Sequence, residues 1–284
     1  MKPYLTLAIA LTLGAAPVVP AMAQSARAEA PAAIPAEEMD RIWSALSLTE
    51  ALDIMQIEGR DMSEDIAADY LPAVPGQGWR SAISRIYDGE TMAQMMRDGF
   101  AEDLAGADPD PIIDFFESPL GLRIIALETD ARRAFLDPDI EEAAREKVRG
   151  DNVPEERADL IEEFITANDL VDFNISGAMN TNFAFYKGLA NAELFEMSEQ
   201  EILDRVWNQA GENREDTEEW LRAYLTLAYE PLSNDEIRTY IEFSESEAGR
   251  RLNRALFAGF GDLYGQQYRA LGLAVANQLM SEEL

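Results

Sequence analysis

The 284-residue chain has no cysteine and no histidine. Without cysteine there is no disulfide, thiol nucleophile, iron–sulfur ligation or lipidated amino-terminal cysteine. Without histidine the usual general base, most zinc sites and the imidazole-dependent serine and cysteine triads are closed. Lysine is almost missing as well, at Lys2, Lys147 and Lys187 alone, so the cations are nearly all arginine. Basic residues number 23 against 54 acidic ones, a net charge of −31. That excess repels phosphate backbones and anionic headgroups, which argues against nucleic acid and membrane-surface partners. Aspartate and glutamate are spread along the chain rather than gathered in blocks, as on a solvated or salt-adapted surface; capture of a cation or basic partner is the other reading.

What is present begins with an address. Lys2 is the only charged side chain in the first 23 residues, Tyr4 to Ala16 is apolar, and Ala21-Met22-Ala23 has the small-x-small form of a signal-peptidase site. The apolar stretch is short and runs into Pro17 and Pro20, which disfavours a membrane anchor. A second possible cut follows Ala26-Arg27-Ala28. Residues 1–23 are thus expected to be a signal peptide and 24–37 an extended Ala/Pro-rich leader. Beyond them no apolar run approaches the roughly 20 residues of a transmembrane helix, and no membrane insertion is expected after processing. The expected location is the periplasm, or the medium if the protein is secreted.

From residue 38 the apolar spacing is helical. Leu160, Ile161, Phe164 and Ile165 recur at three and four, as do Leu252, Leu256 and Phe260, and no alternating β-branched stretch is long enough for a strand. Ser47 with Glu50, Ser198 with Glu201 and Ser233 with Glu236 have capping-box spacing. Asp137-Pro138 is a further start, with proline where its missing N–H costs nothing. The fold class is all-α, about ten helices, with turns near residues 72–78, 150–154 and 230–233.

A shift of 128 residues lays Ile113–Arg123 over Ile241–Arg251 with Ile, Phe, Glu, Ser, Gly and Arg identical, and carries Trp79 onto Trp207 and Leu104 onto Leu232. This predicts two tandem copies of one helical unit, residues 38–150 and 151–284. At that motif the segment Phe115-Phe116-Glu117-Ser118-Pro119-Leu120-Gly121, with Leu232 to Phe243 and Ser246 to Leu252, resembles the exported bacterial family known as domain of unknown function 2059. The resemblance implies an exported all-α protein and no particular reaction. The second copy departs from the pattern with Ser244 at the second aromatic position and Glu247 in place of the proline.

The corner reads as packing: Ser118 and Ser246 as N-caps, Pro119 at the first helical position, and Gly121 and Gly249 letting the new helix pass close to its predecessor. Glu117-Ser118 also resembles the Glu-Ser pair of helical lytic transglycosylases, but the rest of that signature is missing and the pair recurs as Glu245-Ser246. Met92, Met95 and Met96 share a helix face as a Cu(I) site would require, or fill the core beside Met55 and Met62. Asp137, Asp139 and Glu141 open like a calcium loop, which Glu142 and Val148 then break. Asn174, Ser176, Asn180, Thr181 and Asn182 line either a ligand cleft or a solvated helix end.

No catalytic, cofactor-binding or metal-ligating residue is assigned on these grounds, and no cofactor is expected. The expected function is that of a non-enzymatic periplasmic helical protein holding a protein or cell-envelope partner. The alternative is a carboxylate-dependent glycan hydrolase or lyase, which would need two carboxylates in one groove, one of them protonated by an apolar setting. Intact-mass analysis of periplasmic material should show the chain cut near Ala23; an uncut cytosolic protein would refute the export reading.

Overall fold

The computed structural model describes residues 32–150, 152–190 and 197–282. The expected signal peptide, residues 1–23, and most of the expected 24–37 leader lie outside the described residues. Twelve helices and no strand occur among those described. They are α1 (Ala36–Ala45), α2 (Leu48–Tyr70), α3 (Gln77–Ile86), α4 (Gly89–Leu104), α5 (Asp110–Phe116), α6 (Pro119–Ala134) and α7 (Pro138–Arg149). After residue 150 come α8 (Glu155–Ala167), α9 (Leu170–Ala190), α10 (Glu199–Tyr229), α11 (Asn234–Glu245) and α12 (Glu247–Glu282). The all-α expectation holds, with two more helices than the spacing suggested.

The extra ends have local causes. Ser47 at φ 48° and Asp169 at φ 46° turn the chain through the left-handed region, breaking α1 from α2 and α8 from α9. Ser47 therefore makes no side-chain cap, contrary to its spacing from Glu50; Trp43 braces that turn by donating to the Thr49 hydroxyl at 3.0 Å. The other two capping boxes form, at Ser198 with Glu201 and Ser233 with Glu236, and Asp137 caps α7 by accepting from the Asp139 amide.

α12 is the post around which the rest is arranged, packing chiefly on α9 and α4. The α9 contact is at backbone distance. A Cβ on Gly188 would lie 2.2 Å from the Arg269 carbonyl oxygen, and one on Gly272 would lie 2.1 Å from that of Phe185. Neither position admits a side chain. Apolar residues from both sides of residue 150 join one continuous core, since α4 packs on α12, and α6 and α7 on α10.

The two corners are built alike. Ser118 accepts from the Gly121 amide at 3.0 Å and Ser246 from the Gly249 amide at 3.0 Å. A Cβ on Gly121 would stand 2.2 Å from the Phe115 carbonyl oxygen, and one on Gly249 2.1 Å from that of Phe243. Phe115 and Phe243, superposed by the 128-residue shift, stack on each other with centroids 4.1 Å apart and planes at 13°.

The correspondence stops at the tryptophans: Trp79 is 5% exposed and Trp207 73%. The reason lies in the next turn. Asp88 caps α4 by accepting from the Thr91 amide, so the chain breaks between α3 and α4. Its counterpart Asp216 is bonded to Arg145 instead, α10 runs on unbroken, and Trp207 is carried into solvent.

Gly121→Ala and Gly249→Ala should each lower stability by about 1–3 kcal/mol, because a backbone carbonyl stands where the methyl must go. Gly261, exposed on α12 with nothing within 4 Å of a new Cβ, is the contrast; its alanine variant should gain about 0.5–1 kcal/mol. Urea unfolding of the three variants measures both signs.

Candidate functional site

Two hollows meet at α6. The inner one is a cavity of about 130 Å³, walled mainly by apolar side chains such as Leu48, Phe116, Phe164, Leu252 and Phe260, with Glu128 as its carboxyl group. Glu128 keeps some accessible surface, yet its carboxyl is surrounded by protein. Tyr229 donates to Glu128 Oε1 at 2.6 Å, and Tyr224 donates to the Glu128 carbonyl oxygen at 2.8 Å. Burial raises the Glu128 carboxyl to about 7, against the opposing pull of the Tyr229 and Tyr240 hydroxyls. Those phenols are themselves held well above their ordinary range, by burial first and then by Glu128, so they remain donors.

The outer hollow is a groove of about 740 Å³ between α2, α6, α7, α10 and α12. Arg132, one turn after Glu128, borders both hollows. Its guanidinium meets Glu58 of α2 in a bidentate pair, Nε to Oε1 at 2.8 Å and Nη2 to Oε2 at 2.7 Å. It also sits 6.0 Å from the centre of the Trp220 ring. Burial lowers its proton affinity, and the Glu58 charge and hydrogen bond more than reverse this, leaving it above the ordinary arginine value. With 17% of the side chain exposed, this is a mostly buried charge that removal of its partner would leave uncompensated.

Across the groove, Arg145 is shared among Glu141 at 2.8 Å, Asp216 at 3.0 Å and Glu219 at 2.9 Å, fastening α7 to α10. Arg149 reaches Glu219 at 3.1 Å and Glu142 at 3.1 Å. Five of the seven groove carboxylates therefore engage arginine. No group of three or more carboxylates that could hold a metal ion occurs among the described residues.

The residues singled out from sequence lie elsewhere. Glu117 is exposed and bidentate to Arg41 at 2.9 and 2.6 Å, and the hydrogen bond from Arg41 holds its carboxyl below the ordinary value. It is a surface partner of Arg41 on the rim of an open hollow that it shares with Glu37 and Asp40 and that Ser118 does not line. Met92 and Met96 are buried in the core, with Met96 Sδ against Gly259 of α12. The polar set from Asn174 to Asn182 lies inside α9, not at a helix end, and splits: Asn174 and Thr181 turn inward, Ser176 and Asn180 outward. Glu128, Arg132 and Glu58 escaped the sequence reading. The one trace was a glutamate at Glu128 amid the apolar residues Ile124, Ile125 and Leu127, which helical spacing alone does not distinguish from an exposed position.

The comparisons bear on this region. Residues 90–149 match the bacterial family DUF2059. Its description reads "Uncharacterized protein conserved in bacteria", and the match runs from α4 through α7. The DUF2059-like segment thus contains the first corner, Glu128, Arg132, Arg145 and Arg149. No curated protein and no solved structure matches the chain.

The carboxyl at Glu128 couples stability to pH. Its folded value of about 7 exceeds the unfolded 4.5, so the folded state binds the extra proton. The contribution is complete below pH 4.5 and is lost as pH rises through 7, amounting to as much as about 3 kcal/mol. The stability of wild type minus that of Glu128→Gln, followed by urea unfolding from pH 4.5 to 8, should fall over that window. A flat difference would refute the assignment; the other carboxylates contribute equally to both proteins.

Proposed function

We propose that the chain is an exported periplasmic protein without enzymatic activity, built from two tandem copies of the DUF2059 helical unit, that holds a protein or cell-envelope partner at the groove beside Arg132. The tandem reading is supported by the two corners, equal in hydrogen bond and glycine contact and stacked on each other through Phe115 and Phe243. The export reading is supported by the charged start, apolar stretch and small-residue site ahead of residue 24.

One observation carries the non-enzymatic reading. Glycan cleavage by carboxylates needs a protonated acid and an ionised partner about 5–10 Å apart on either side of one bond. Glu128, the carboxyl that burial raises toward neutrality, borders the small inner cavity; Glu58 borders the groove, and Arg132 forms part of the wall of both. The inner cavity is also well below the roughly 300 Å³ at which ligand pockets begin. What faces the groove is recognition chemistry: aromatic rings, guanidiniums and ionised carboxylates.

Purified wild type, Glu128→Gln and Glu58→Gln incubated with isolated peptidoglycan sacculi should release no soluble fragments above the buffer control. Release by wild type that Glu128→Gln abolishes would replace this reading with the glycan-cleaving one.

A further inference from the structure

The groove has two features that its internal ion pairs leave unanswered. The first is charge. Its wall on α2 carries Glu58, Asp61 and Asp65, three or four residues apart and so on one face of that helix. Glu58 is neutralised by Arg132, but Asp61 and Asp65 have no hydrogen bond or ion pair among the described residues. Over the whole groove seven carboxylates face three guanidiniums, a net of −4.

The second feature is a phenol. Tyr87 lines the same groove, is 2% exposed, and its hydroxyl has no hydrogen-bond partner among the described residues. The edge of its ring lies over Gly59 of α2, where a Cβ would stand 2.0 Å from Tyr87 Cε1, 2.5 Å from Cζ and 2.6 Å from Cδ1. Gly59 is on the buried side of α2 and Asp61 and Asp65 on its exposed side, so the phenol and the two carboxylates border the groove from different faces of that helix. A buried hydroxyl without a partner has given up its water and gained no hydrogen bond in exchange. Tyr264 and Tyr268 also line the groove and add aromatic surface.

Unpaired carboxylates, an orphan phenol and aromatic faces in a groove of about 740 Å³ are complementary to one ligand chemistry: positive charge on an alkyl chain. We propose that the groove binds a linear di- or polyamine, with ammonium groups on Asp61 and Asp65, one N–H donated to the Tyr87 hydroxyl, and methylenes against the tyrosine rings. A phosphate or carboxylate ligand is disfavoured by the net charge, and a neutral sugar could hydrogen-bond Asp61 and Asp65 but would leave their charge uncompensated. The inference rests on the groove being a binding site, as proposed above, and names what it takes.

The test is calorimetric titration of the full mature chain with spermidine and putrescine at constant 150 mM salt. Spermidine should bind saturably at one site per chain, and Asp61→Asn/Asp65→Asn should weaken it at least tenfold. Tyr87→Phe removes only the unpartnered hydroxyl, so it should leave the fold at least as stable while weakening spermidine about two- to tenfold. Glu50→Gln/Glu64→Gln removes the same charge from exposed positions of α2 outside the groove and should leave binding within twofold. Equal weakening by this control would show diffuse attraction to an acidic protein and overturn the proposal. So would unchanged affinity in Tyr87→Phe, or no saturable binding. If tetralysine amide binds in a manner dependent on Asp61 and Asp65 while spermidine does not, the occupant is a basic polypeptide and the small-amine assignment fails. Absence of amine binding with no sacculus cleavage would sink this inference alone; sacculus cleavage would sink the reading beneath it.

Discussion

The fold depends on α12 being approached to backbone contact. With no disulfide, this chain relies on apolar burial, which falls off steeply when packed surfaces separate. α12 is long enough to serve helices from both ends of the chain, but only if they come close, and at Gly188 and Gly272 the backbones of α9 and α12 leave no room for a side chain. The corners apply the same device at a smaller scale. Each serine cap starts a helix, and the glycine one turn later lets that helix lie on the carbonyl of the aromatic residue before the turn. The stacked Phe115 and Phe243 then join the two corners.

Close packing has an electrostatic consequence. α6 lies against α10 and α11 with a carboxyl, Glu128, inside the contact, and against α2 with a guanidinium, Arg132. The two are solved differently. Glu128 has hydroxyl donors and, among the described residues, no cation in hydrogen-bond contact, so burial raises its proton affinity; Arg132 has Glu58 and stays charged. Four residues apart on one helix, they divide an apolar interior from a charged groove, and that division leaves the paired charges on one side and proton-linked stability on the other.

The groove also accounts for part of the acidity of the chain. Most of its carboxylates fasten helices: Glu141, Asp216 and Glu219 around Arg145 hold α7 on α10. Asp61 and Asp65 fasten nothing among the described residues, and they border the same groove as the phenol of Tyr87. The residual field of the groove is thus concentrated on one face of α2 rather than spread evenly along its walls.

Much of the architecture was legible in residue order, because it rests on local chemistry. Helical spacing marked the elements, the Ser198 and Ser233 boxes marked their starts, and Ser118 and Gly121 marked a corner, since capping and glycine contacts act within a few residues. Ser47 misled because a left-handed turn, set by how α1 meets α2, overrode its cap. Trp207 did so because Asp216, placed to cap a helix, found Arg145 instead. The site was illegible for a related reason. Glu58, Tyr87, Glu128, Arg132 and Tyr229 come from four separate segments, and no spacing within one segment states that a carboxyl will lack a cation or a phenol lack a partner. Composition excluded whole chemistries and local pattern wrote the helices; which charges are paired, protonated or left waiting was decided only when distant helices closed on one another, because burial and pairing are properties of the surroundings and not of the residue.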